Sequence, residues 1–89
     1  MILVKKSKEM LDLYAWNLGR CDKEEKAIET LLKRIDMYGG EEWNYGELGW
    51  DYAQLKDYDQ ALAYFEKALA VNPDSEMTYL YDWLVLFKT

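Results

Sequence analysis

Apolar residues recur along this chain at spacings of three and four, and no segment alternates with a period of two. Leu11, Tyr14, Ala15 and Leu18 make one stripe, which predicts a first helix from about Lys8 to Arg20 with Ser7 as its N-cap. Ala27, Ile28, Leu31, Leu32 and Ile35 line a second, from about Lys23 to Tyr38, which Gly39-Gly40 stops. Glu29 and Lys33 form a favourable pair one turn apart on its outside. Tyr45, Leu48, Gly49 and Tyr52 predict a third helix from about Glu42 to Leu55. Ala61, Leu62, Phe65, Ala68 and Leu69 predict a fourth from about Tyr58 to Val71. Pro73 forbids helix at Asn72, because a residue before proline avoids the right-handed helical region. A fifth helix starts near Ser75, capped by Asp74 or Ser75, and runs to about Phe87. Linkers of two to four residues force neighbouring helices to pack antiparallel, so the fold class is all-α.

The chain is similar to itself at a shift of 34 residues. Leu11 falls on Tyr45, Tyr14 on Leu48, Ala15 on Gly49, Trp16 on Trp50 and Leu18 on Tyr52. Ala27 falls on Ala61, Leu31 on Phe65 and Ile35 on Leu69. Large meets large and small meets small through both helices without a gap. Small residues at Ala15, Gly49, Ala27 and Ala61 let paired helices approach, where bulk would hold the backbones apart. Each pair leaves an apolar face uncovered, so pairs must stack.

The second unit carries a specific pattern: Tyr45-x-x-Leu48-Gly49-x-x-Tyr52, then Tyr58-x-x-Ala61, Phe65, Ala68 and Pro73. It resembles the tetratricopeptide repeat from Glu42 to Ser75, with Tyr45 in place of the usual first Trp and Lys56 where a turn glycine is common. Lys8 to Glu41 resembles a degenerate copy with Arg34 and Gly39 replacing the second alanine and the proline. The resemblance implies a single domain over 1–89: repeat one over 8–41, repeat two over 42–75 and a terminal helix over 76–88. The expected architecture is an α-α superhelix of two pairs plus a C-terminal capping helix. Trp83 falls where Ala15 and Gly49 stand, which is incompatible with a close following helix and points to a cap packed on Tyr52. An array that continues further is the other reading.

In such arrays the first helices of successive pairs line a concave groove that holds a peptide or partner helix. The resemblance therefore implies a protein-interaction scaffold. Carried over by position, Glu9, Asp12, Trp16, Gly19 and Arg20 line the groove from helix one, with Trp43, Gly46, Trp50, Ala53 and Gln54 from helix three. Helix five contributes Met77, Leu80, Leu84, Phe87 and Lys88. The expected partner-binding residues are Trp16, Arg20, Trp43, Trp50, Gln54, Met77, Leu80, Leu84 and Phe87. Trp and Arg are enriched at binding hot spots, and Met adapts to varied partners. Trp16 and Trp50 also admit a core reading, and Trp43 a role stapling the start of its helix. A carboxylate clamp for chaperone tails is disfavoured, because Trp16 and Asp12 stand where its Asn and Lys belong.

Composition narrows the chemistry. The 89 residues contain no His and one Cys, which leaves no zinc site, no Cys/His nucleophile pair and no intrachain disulfide. Asp57 with Asp59, and Glu41 with Glu42, read as helix-start charges rather than catalytic pairs, so no enzyme and no cofactor are expected. Cys21, between Arg20 and Lys23, reads as a tolerated loop cysteine. The net charge of −6 opposes nucleic acid and anionic membranes. Residues 41–89 hold three basic and ten acidic side chains, against eight and seven in residues 1–40. A basic partner is one reading of that asymmetry. Helix electrostatics is preferred, because nine of the seventeen acids stand at helix starts; Glu47, Asp51, Glu66 and Asp82 then form a solvated face. Without a signal peptide or an apolar run of spanning length, a cytoplasmic location is expected.

The fifth helix is apolar almost all round and needs cover on more than one side. Ile2-Leu3-Val4, a partner or a second copy of the chain would provide it. Homodimerisation through this helix is therefore the alternative function.

Overall fold

The computed structural model describes residues 8–88, which form five α-helices and no strand. They are α1 (Lys8–Arg20), α2 (Glu24–Tyr38), α3 (Glu42–Gln54), α4 (Tyr58–Val71) and α5 (Glu76–Lys88). The expected Ser7 cap and the Ile2-Leu3-Val4 cover lie outside the described residues. Each helix packs on its neighbour in sequence, while α1 also touches α3 and α3 touches α5. Helix pairs stacked in this way give an elongated body of 51 × 26 × 18 Å. No described helix is long and apolar enough to cross a membrane.

Two apolar clusters hold the stack. Ala15, Ile28, Leu31 and Leu48 form the first, and Ala61, Phe65 and Val85 the second, with Tyr52 packed against both. The pairs solve the close approach with different volumes. A Cβ added at Gly49 would lie 2.5 Å from the Phe65 ring, so the missing methyl is the room that ring occupies. In the first pair Ala15 meets the smaller Leu31. Tyr14 and Leu32, expected on inward stripes, are exposed. The position equivalent to Tyr14 in the next repeat is Leu48, which the first pair covers; no described helix precedes α1 to cover Tyr14.

The turns repeat as the helices do. Asp22 and Lys56, 34 residues apart, both take left-handed backbone with φ of 59° and 64°. Each lets the next amide reach back: Lys23 N–H to the Leu18 carbonyl, and Asp57 N–H to that of Tyr52, both at 2.9 Å. Ser75 is the cap of α5, its hydroxyl accepting from the Thr78 N–H. Glu41 caps α3 through a reciprocal box with Asn44, whose side-chain oxygen accepts from the Glu41 N–H at 2.9 Å.

Arg34, which stands in the place of the repeat's second alanine, is buried at 1% exposure. Its Nε donates to Asp12 at 2.9 Å, its fork also reaches Glu41 at 2.5 Å, and it donates to the Gly39 carbonyl. Asn44 donates to the same Asp12 at 3.1 Å. One cation thus ties α1, α2 and the start of α3 together. Asp12 is engaged in this bracket rather than free to orient a ligand.

Trp83 does not pack on Tyr52 as expected. It is 59% exposed and its ring lies 5.7 Å from that of Phe87. The inward positions of α5 are Thr78, Tyr81 and Val85, so Trp83 turns toward the side on which a following helix would lie. Tyr79, Leu80 and Phe87 are exposed too, which leaves one side of α5 covered and a broad apolar side open.

Candidate protein-binding groove

The placement of α1, α3 and α5 brings exposed Trp16 and Trp43 and half-buried Trp50 and Tyr81 to one concavity. A hollow of about 430 Å³ is bordered by Trp16 and Arg20 of α1, Trp43, Gly46 and Trp50 of α3, and Tyr81 of α5. A smaller one, about 120 Å³, adjoins it between α3 and α5, bordered by Trp50, Gln54, Leu84 and Lys88. Trp50 lines both, and its ring sits 5.2 Å from that of Tyr81. Gly46 leaves the floor open, since a Cβ there would meet nothing within 4 Å.

The structure therefore brings together Trp16, Arg20, Trp43 and Trp50 around the larger hollow, and Trp50, Gln54 and Leu84 around the smaller. Leu80 and Phe87 border neither and stand exposed on α5. Met77 lies on α5 with its side chain outside the described residues. A separate hollow of about 380 Å³ lies between α1 and α2, near Met10, Tyr14 and Lys33, and none of the expected site residues borders it.

Polar groups of the groove are held by their neighbours. The Arg20 guanidinium lies 5.2 Å from the Trp16 ring centroid and 3.1 Å from Glu47 Oε1, between an indole face and a carboxylate. Glu42 accepts from Asn72 Nδ2 at 3.1 Å on one oxygen, and from Ser75 at 2.6 Å and Thr78 at 3.4 Å on the other. Hydrogen bonds from Ser75 and Asn72, against a smaller effect of burial, hold its carboxyl below the usual range, so Glu42 stays anionic.

Behind the groove, against α1, the expected solvated face is replaced by buried acid. Asp51 is fully buried, Glu47 is largely covered and Asp82 is half-buried; Glu66 alone of the four is exposed. Among the described residues, neither Asp51 oxygen has a hydrogen-bond partner, nor has Glu47 Oε2. Burial first, then the charges of Glu47 and Glu24, pushes the Asp51 carboxyl up to about 7, with Arg20 opposing. The cause is position. A helix inside the stack is covered by its own partner and by the preceding pair, and Gly19 of α1 closes over Asp51: a Cβ there would lie 3.1 Å from Oδ1.

Sequence reading missed Glu42, Glu47, Thr78 and Tyr81 as groove residues. The shift of 34 carries a usable signal for Tyr81, which falls on Glu47 and places both toward the preceding pair. Among the described residues no cluster of three or more Cys, Asp or Glu has the arrangement of a metal site.

Residues 45–75 match the family model described as Tetratricopeptide repeat, across most of α3 and all of α4. The chain thus contains a tetratricopeptide repeat, the unit of a class of stacked helix pairs. Its repeat is a protein–protein interaction module, without catalytic machinery of its own. No curated protein and no solved structure matches the chain.

Proposed function

We propose that this protein binds an amphipathic helix or extended apolar peptide of a partner protein in the groove between α1, α3 and α5. The observation that carries the reading is the convergence of Trp16, Trp43 and Trp50, from two different helices, with Tyr81 around one open hollow. Rigid aromatic side chains give large contact area for little lost freedom, and they dominate binding energies when a partner desolvates them. Trp50 and Trp16 serve as anchors, Leu84 extends the apolar floor, and Arg20 and Gln54 orient the bound chain.

The test is a peptide selected from a displayed amphipathic library against the full chain. Trp50→Ala should weaken that peptide by about tenfold or more, as for a hot-spot residue, while Leu32→Ala on the outside of α2 leaves it unchanged. A folded Trp50→Ala variant that binds as tightly as the parent contradicts this site.

A second reading rests on a different observation, the open apolar side of α5 with Leu80, Trp83 and Phe87 exposed. Two copies pairing through α5 across a two-fold axis would cover it. Light scattering behind size exclusion should then show a dimer that Leu84→Lys with Phe87→Lys returns to monomer. An unchanged mass in that variant contradicts pairing through this helix.

A further inference from the structure

The groove already contains one cation site that the chain fills itself. On the α1 side, Arg20 occupies the space between the face of Trp16 and the carboxylate of Glu47. On the α3–α5 side the same kinds of group surround the same hollow: the indoles of Trp43 and Trp50, the phenol ring of Tyr81 and the carboxylate of Glu42. Among the described residues Arg20 is the only basic residue that borders this larger hollow, and Lys88 borders only the smaller one beyond Trp50, so no basic side chain of the chain itself is placed beside Glu42 and Trp43. Glu42 is held by three neutral donors, Asn72, Ser75 and Thr78, which fix its position without cancelling its charge. Indole faces attract ammonium and guanidinium groups more strongly than other aromatic rings, and more so where water is displaced. The surrounding half of the chain, residues 41–89, is strongly acidic, so the field draws the same sign of ligand.

We infer that the occupant of the groove is a partner segment carrying a lysine or arginine among apolar residues, the cationic head seated between Trp43, Trp50 and Glu42. The inference rests on the proposed groove and adds the partner's charge. It commits to a basic protein segment: nucleic acid is repelled by the net charge, and an acidic peptide would meet Glu42, whose three donors are neutral, while Arg20 is already paired with Glu47. Arg20 shows the geometry the incoming side chain repeats, with an aromatic face on one side and a carboxylate on the other.

Three short helical peptides test this, identical in their leucines and differing only in lysine, glutamine or glutamate at the polar positions. Each is titrated into the full chain while the indole N–H resonances of the four tryptophans are followed by NMR. The lysine peptide should shift Trp43 and Trp50 saturably and bind about tenfold more tightly than the glutamate peptide, with the glutamine peptide between. Its affinity should fall about fivefold in Glu42→Gln and weaken with added salt, while the glutamine peptide is indifferent to that change. Glu66→Gln, an exposed acid outside the groove, should leave the lysine peptide's affinity unaltered. Should Glu42→Gln disturb the α5 cap, Glu47→Gln gives an independent reduction of groove charge and should weaken the lysine peptide in the same direction.

Equal binding of all three peptides at the Trp43 and Trp50 resonances would overturn the charge inference and leave the groove reading standing. Tightest binding of the glutamate peptide, or an equal loss in Glu66→Gln, would overturn it as well. Lysine-peptide binding that leaves those two indoles unshifted would contradict both the inference and the groove.

Discussion

The two junctions between successive helix pairs use the same positions for opposite chemistry. Glu47 and Asp51 of α3 pack toward the first pair, against Gly19 and Arg20. Thirty-four residues on, Tyr81 and Val85 of α5 pack toward the second pair, against Trp50 and Phe65. One junction is therefore closed by carboxylates and the other by apolar side chains. The rims differ too: Arg34 neutralises Asp12 and Glu41 at the first, while Glu42 at the second receives, among the described residues, the neutral donors Asn72, Ser75 and Thr78. The first junction puts its cation inside, bracketing helices. The second leaves a net negative charge at the groove. Shared geometry thus does not imply shared energetics, and the contrast separates scaffold from binding surface.

The largest effect should come from removing the internal cation. Arg34→Met leaves Asp12 and Glu41 facing each other with the Gly39 carbonyl unpaired, and should cost about 3 kcal/mol, discounted for the exposure of Glu41. Urea unfolding measures it, and a loss under about 1 kcal/mol would mean the bracket is not what holds the first junction.

Next is the volume trade between the pairs. Gly49→Ala drives a methyl into the Phe65 ring and should cost about 2 kcal/mol. Adding Phe65→Leu, which recreates the Ala15–Leu31 combination of the first pair, should recover most of that loss. A double variant no better than the single would show that the two pairs do not share one packing rule.

The acid junction should show itself in pH. Asp51 has a folded-state pKa near 7 against an ordinary 3.8, so the native protein holds this proton more tightly than the unfolded chain. Its contribution to stability is full below about pH 4 and is lost as pH rises through about 7. Asp51→Asn removes the titration. The variant should be about 2 kcal/mol more stable than the parent at pH 8, where Asp51 must be buried charged, a fraction of the roughly 4 kcal/mol upper bound that a shift from 3.8 to about 7 sets, with little difference at pH 4. A pH-independent difference would place the Asp51 carboxyl in contact with water.

Smallest is the turn that both pairs share. Lys56→Gly relieves left-handed backbone and should stabilise by about 1 kcal/mol, as should Asp22→Gly. Unequal gains would reveal that one of the two side chains compensates its own strain.

The chain's pattern reveals its helices because stripes, Gly39-Gly40 and Pro73 act locally. It reveals the concave aromatic residues because a shift of 34 superposes Trp16 on Trp50. It misplaces residues whose burial depends on what stacks above or below. Asp51 reads as solvated until the first pair closes over it, and its counterpart in the first repeat, Asn17, is indeed exposed. Trp83 reads as core because it is large, yet no described helix lies against its side of α5. Arg34 looks like decay of an alanine position, since its three partners come from α1 and the α2–α3 loop and no local spacing joins them.

The most direct test of the groove as the working surface is to locate a bound peptide. A spin label on the library-selected peptide should broaden the indole signals of Trp16, Trp43 and Trp50 and spare Leu32 and Val71 on the outer helices. Broadening concentrated on α2 and α4, with the three indoles sharp, would contradict the account.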